Sequence, residues 1–354
     1  MAITQRSRRI SHSLIFLLTF IAILVNTACN PSINSVNIGV DIKPTSTPPE
    51  VPELIQDNEL IDAAISHTPT PLIAKPAEMA ATETAPTMPA KPANNANLFV
   101  PLLDFPIPAD ASRQIEPTYR FGSTLFGERM PHDGVEMINP EGTPVLAAAD
   151  GKVYFSGNDR TFKRGRFTNF YGNIIILEHQ IPAYSTPVYT FYAHLSDQDV
   201  KEGDLVTRGE KIGSVGATGK AFTNHLHFEV RIGDVLLQNA RNPELFLPLL
   251  RTQDQPEVGI LIGSLTSING NPIPGVSVVV QKMVDGVQQP GTAIYLETYA
   301  KTIYAEQNWE ENFVVSSLPV GDYRVSAFAY QYLVEEIITI RDGEFTFIRL
   351  KPEG

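Results

Sequence analysis

Between Pro144 and Ile232 the chain breaks into short β-prone runs separated by glycine-bearing turns, and this punctuation most restricts its fold. The runs are Pro144–Ala149, Gly151–Ser156, Asn173–His179, Val188–His194, Lys211–Val215 and His225–Ile232. Asp150-Gly151 and Gly203-Asp204 supply turn signals between them. No run keeps a helical period, so residues 99–250 are expected to form an all-β domain. A second segment, 258–354, repeats the pattern through Gly259–Leu265, Pro274–Val280 and Gly321-Asp322-Tyr323. Its alternating β-branched residues predict a small β-sandwich, with residues 251–257 as the linker.

The region before residue 99 reads differently. Arg6, Arg8 and Arg9 precede an apolar run from Leu14 to Val25, which ends in Asn26-Thr27-Ala28-Cys29. A run of about a dozen residues is short for a membrane span and suits the apolar core of a signal peptide. The expectation is therefore a signal peptide over 1–29. Cys29 is the single cysteine of the 354-residue chain. Its position after Ala28 resembles a lipoprotein cleavage site, with Asn26 where an aliphatic residue is usual. The protein is thus expected to be exported and tethered to the outer face of a membrane through an N-terminal lipid or signal anchor. One cysteine also excludes an intrachain disulfide and any cysteine-built zinc cluster.

Residues 30–98 are rich in Pro, Thr, Ala and Asn, as in Pro44-Thr45-Ser46-Thr47-Pro48-Pro49. Such a composition buries too little apolar surface to offset ordering entropy, so a disordered tether is expected. At about 3.1 Å per extended residue it would reach on the order of 100–200 Å. One weak helical patch is expected at Pro52–Ser66, and His67 has no assigned role. The formal net charge of −12 argues against a nucleic-acid partner, which needs a basic face. The short basic stretch Lys163-Arg164-Gly165-Arg166 could attract an anionic polymer, but it reads first as a solvated loop.

The chemistry concentrates in four of the seven histidines. In His132-Asp133-Gly134-Val135-Glu136, extended backbone would put His132 and Glu136 on one face, where both can reach one metal. The same alternation leaves Asp133 on the opposite face, exposed to solvent. In His225-Leu226-His227-Phe228-Glu229 the two histidines share a face while Leu226 and Phe228 turn to the core. His194 ends the apolar strand Val188–His194. Two imidazole nitrogens and one carboxylate make a three-ligand zinc site with an open fourth position. The remaining histidines would orient a water molecule, accept its proton and steady charge developing on a substrate oxygen. His179 reads as a strand cap.

These motifs stand in an order that resembles the lysostaphin/LytM-type zinc metallopeptidases: His132–Glu136, Gly142–Gly151, Tyr171–Asn173, Tyr192–Leu195, Gly216–Gly219 and His225–Glu229. The resemblance implies a barrel-sandwich β domain whose groove binds peptidoglycan peptides and cleaves their peptide bonds. It also implies one Zn2+ per chain held by His132, Glu136 and His227, with His194 and His225 as the catalytic pair. Glu136 departs from the family's usual aspartate, and Phe222-Thr223-Asn224 replaces a small Thr-Gly-Pro. The alternative reading is a non-catalytic LytM-like binding or regulatory protein of the cell envelope. The C-terminal segment resembles carboxypeptidase-regulatory-like or transthyretin-like sandwiches through Gly270–Val278 and Leu318–Tyr323. It carries no histidine.

Overall fold

The computed structural model describes residues 97–353. The signal segment with Cys29, the Pro52–Ser66 patch, His67 and nearly all of the tether lie outside them. Among the described residues no helix is long and apolar enough to cross a membrane.

The described residues adopt the expected all-β class. The first part holds β1 (Val135–Ile138), β2 (Pro144–Leu146), β3 (Gly151–Asn158), β4 (Asn173–His179) and β5 (Val188–Ala193). It continues with β6 (Asp197–Gln198), β7 (Leu205–Val206), β8 (Lys211–Ser214), β9 (His225–Ile232) and β10 (Ala240–Arg241). A large sheet runs β1-β9-β5-β4-β3-β7, with β10 also on β9, and a small one runs β2-β8-β6.

The C-terminal part holds β11 (Val258–Leu265), β12 (Ser277–Val284), β13 (Val287–Gln288) and β14 (Ile294–Glu297). It closes with β15 (Phe313–Pro319), β16 (Gly321–Ala329), β17 (Tyr332–Ile340) and β18 (Phe345–Leu350). These strands form a three-stranded sheet, β15-β11-β18, and a sheet ordered β13-β12-β16-β17 with β14 on β12.

The two parts share a layer. All eight residues of β11 are buried, and its side chains divide between two cores. Ile260 and Ile262 join the cluster around Val135, Leu226, Phe228 and Val230, whereas Leu261 and Leu265 pack with Val278, Val325 and Ile338. A strand buried on both faces needs a continuous apolar run, and Val258-Gly-Ile-Leu-Ile262 supplies one.

In the large sheet β9 lies second from one edge, between β1 and β5. Its sequence alternates strictly, so Leu226, Phe228 and Val230 enter the main core while His225, His227, Glu229 and Arg231 line the other face. That polar face is buried too. A cluster of Tyr171, Ile174, Ile176, Tyr189 and Phe191 packs in this part, and the Arg231 guanidinium lies 3.9 Å from the Phe191 ring centroid.

Candidate metal centre

Strand register brings the polar residues together. Glu136 on β1 lies opposite His227 on β9, and His227 lies opposite Ala193 on β5. Directly opposed residues share a face, so Glu136 projects to the side carrying His225 and His227. The next residue after β5, His194, has φ 63°, a left-handed conformation uncommon outside glycine. His132 stands before β1 rather than within it, and the chain bends at Gly134. The expected convergence with Glu136 occurs through that bend.

His132 Nε2 lies 3.3 Å from His227 Nδ1 and 3.6 Å from Glu136 Oε1, and His225 Nε2 is 3.6 Å from the same oxygen. His132, Glu136 and His227 form one group with ligand atoms within 4.8 Å of one another. The His194 ring centroid is 4.8 Å from that of His225 and 5.6 Å from that of His227. All four imidazoles are buried, and Glu136 is partly open, its side chain 19% exposed.

Each ring has one nitrogen committed elsewhere, which sets its tautomer. His132 Nδ1 donates to the Tyr119 carbonyl (2.7 Å), His194 Nδ1 to Thr218 (2.8 Å) and His225 Nδ1 to Thr223 (2.8 Å). His227 is reversed: its Nε2 donates to Glu229 Oε1 at 3.0 Å. With those protons assigned, neutral His132 and His227 would face each other with two lone pairs. That contact is repulsive until a cation, a proton or a metal ion, lies between them. A tetrahedral zinc ion with bonds of about 2.0–2.1 Å places its ligand atoms roughly 3.3 Å apart, close to the spacing found here. The His225 Nε2 is buried without a hydrogen-bond partner.

Burial pulls His132 well below the ordinary imidazole range, with His227 adding to the shift, and lowers His225. It drops His194 to about 3. His227 moves the other way: burial opposes its charge, but the Glu229 hydrogen bond and carboxylate outweigh that and raise it.

Glu229 is anchored in turn. Arg231 Nε donates to its Oε2 at 2.8 Å, the Tyr171 hydroxyl donates to Oε1 at 2.5 Å, and the Arg231 Nη2 reaches that hydroxyl at 2.6 Å. The buried carboxylate is held at about 2, because Arg231 and these hydrogen bonds overcome the cost of burial. Thr218, which fixes His194, sits beside a close backbone crossing. Gly172 and Gly219 both have positive φ (68° and 72°), and a Cβ on either would lie within 2.4 Å of the other's amide nitrogen. Only glycine fits there.

Asp133 corrects the sequence expectation. It is 2% exposed and paired with Arg166 at 2.6 Å. The bend at Gly134 breaks the alternation that would have sent it to solvent, and its partner Arg166 comes from the insert between β3 and β4. The ends of that insert are tied by Asp159, whose buried carboxylate accepts the amides of Phe170, Tyr171 and Gly172. Arg164 packs 3.6 Å from the Phe155 ring centroid, so two cations of the basic stretch are engaged internally. His179 ends β4 fully buried, bonded to the Asp150 carbonyl and the Thr190 hydroxyl. Sequence alone gives no role to Glu229, Arg231 or Tyr119. For Glu229 and Arg231 the signal was present: charged residues alternating with β9's core positions can stay buried only as partners of something.

Residues 130–242 match the model of peptidase family M23. The chain is 41% identical over 127 residues to the DD-carboxypeptidase/endopeptidase Mpg of Neisseria meningitidis, covering 33% of this chain and 26% of that one. It is 36% identical over 130 residues to the cell division protein DipM of Caulobacter vibrioides, covering 36% and 19%. With the peptidoglycan DD-endopeptidase ShyB of Vibrio cholerae it shares 39% identity over 109 residues, covering 30% and 22%. The chain thus spans about a fifth to a quarter of each relative's length. Opposed histidines on β9 and before β1, a carboxylate on β1 and a matched sequence around them identify residues 130–242 as a domain of peptidase family M23.

Proposed function

We propose that the chain is a zinc-dependent endopeptidase that hydrolyses peptide bonds in peptidoglycan. The observation carrying this reading is the pair of facing nitrogens on His132 and His227 with the Glu136 carboxylate beside them. The donor set, two imidazoles and one carboxylate, suits catalytic zinc with an open position. Zinc held by His132, Glu136 and His227 would supply Lewis acidity and activate water at neutral pH.

The remaining steps belong to the side chains. His194 and His225 keep their protons on Nδ1, against Thr218 and Thr223, and so present Nε2 as a proton acceptor. Burial keeps both rings neutral at neutral pH. After accepting a proton, either ring can return it from Nε2 to the leaving amine, or donate a hydrogen bond to the developing oxyanion. Glu229 holds the His227 ring in place.

Similarity to peptidoglycan DD-endopeptidases and the family resemblance support peptidoglycan peptides as the substrate class. The N-terminal sequence supports an exported location at the cell envelope, with anchoring through Cys29 as part of the same proposal. Residues 99–250 and 258–354 are taken as the peptidase and accessory portions, joined at 251–257. The test is digestion of cross-linked wall material. Zinc-loaded protein should release new amino termini. His225→Ala should cut the rate by about 10²–10⁴-fold while retaining zinc. Intact material after long incubation with zinc-loaded protein would favour the non-catalytic regulator. Equal activity on glycine-rich peptides without wall material would point to extracellular peptides as substrates.

A further inference from the structure

The segment that carries His132 is fastened by a residue from the other end of the chain. Glu297, the last residue of β14, is buried and accepts four hydrogen bonds. The Ser123 hydroxyl (2.7 Å), the Thr124 amide (2.9 Å) and the Phe126 amide (3.1 Å) donate to its Oε2. The Thr124 hydroxyl donates to its Oε1 at 2.7 Å. Three residues on, the Ala300 amide donates to the Gly122 carbonyl at 2.9 Å. The Tyr299 ring occupies the place of a Gly122 side chain, with Cδ1 2.4 Å from where a Cβ would stand, and Gly122 has φ 80°.

From this clasp the path to the metal centre is short. Gly122 N donates to the His132 carbonyl (2.8 Å), and His132 N donates to the Ser123 carbonyl (3.0 Å). The same segment supplies the Tyr119 carbonyl that takes the His132 Nδ1 proton, and the Tyr119 ring stacks on the His132 ring at 4.2 Å. Beyond the clasp the loop opens to solvent, with Phe126 64% and Met130 42% exposed. Its inner side is therefore where it is held.

We propose that Glu297 is a positioning residue for the metal centre: it latches Ser123, Thr124 and Phe126 to β14 and so fixes the backbone that aims His132. The C-terminal strands then pre-organise a metal ligand they do not touch. This inference rests on the reading of His132 as a zinc ligand.

The test uses the full chain, with zinc affinity measured by chelator competition and loop order by amide hydrogen exchange. Glu297→Ala should weaken zinc binding about tenfold or more, as loss of outer support commonly does. It should also speed exchange at residues 120–132 while β16 and β17 stay protected. Glu297→Gln should restore most of the affinity. Its carbonyl oxygen can take the three bonds at Oε2, and the Thr124 hydroxyl can turn to accept from the new amide. Tyr323→Phe removes a contact remote from residues 119–132, from the Tyr323 hydroxyl to the Pro319 carbonyl at 2.8 Å, and should leave zinc affinity unchanged. A Glu297→Ala chain with wild-type zinc affinity would overturn the proposal. So would a Tyr323→Phe chain that loses as much, since the effect would then be general loosening. A wild-type chain that takes up no zinc would overturn the metal reading, and this inference with it.

Discussion

Glu229 accepts the Nε2 proton of His227 across 3.0 Å, in a position where the carboxylate side chain is wholly buried. This contact reverses the tautomer of one histidine among four and turns Nδ1 of His227 toward His132. Arg231 balances the charge, lying 2.7 Å from the other carboxylate oxygen.

Glu229→Gln should therefore act on two quantities at once. It leaves Arg231 buried without an anion, which costs about 3–5 kcal/mol when one member of such a pair is removed. It also weakens the hold on His227, and zinc affinity should fall about 10–100-fold. Urea denaturation and chelator competition measure the two separately. Unchanged zinc affinity in a destabilised variant would show that Glu229 serves the fold alone.

Glu136 stands 3.6 Å from both His132 Nε2 and His225 Nε2. As a ligand it tolerates shortening better than removal. Glu136→Asp should retain stoichiometric zinc, and Glu136→Ala should lose about two orders of magnitude or more in affinity, since only two protein ligands remain. Isothermal titration decides, and an alanine variant that binds zinc like the wild type removes Glu136 from the ligand set.

A pH effect on stability is expected away from the site. Burial raises the Glu311 carboxyl to about 8, and Glu306 beside it adds to the shift. In the unfolded chain the group ionises near its ordinary value of about 4.3. Between those values the folded state binds more protons than the unfolded one, so stability falls as pH rises from about 4.3 to about 8. Glu311→Gln should flatten that slope in denaturant titrations at pH 5, 6, 7 and 8. An unaltered slope would mean that Glu311 is ionised in the folded protein.

Alternation along single strands carried much of this structure in the sequence. The His225-x-His227 pair shares a face because side chains on a strand repeat every two residues, and β9 obeys that rule over its full length. The same rule failed at Asp133, because the bend at Gly134 lies between it and β1 and because its partner Arg166 is 33 residues away. Contacts of that kind leave no local pattern. The Glu297 clasp spans 173 residues to Thr124, and nothing near either residue announces it. The dual burial of β11 was written in its unbroken apolar run, yet such a run alone does not say which two cores it will separate.

The most direct test is anomalous diffraction at the zinc edge from crystals grown with zinc. The account predicts one strong peak about 2.0–2.2 Å from His132 Nε2, His227 Nδ1 and a Glu136 oxygen. A zinc peak bound by other side chains, or no peak between those three, would contradict it.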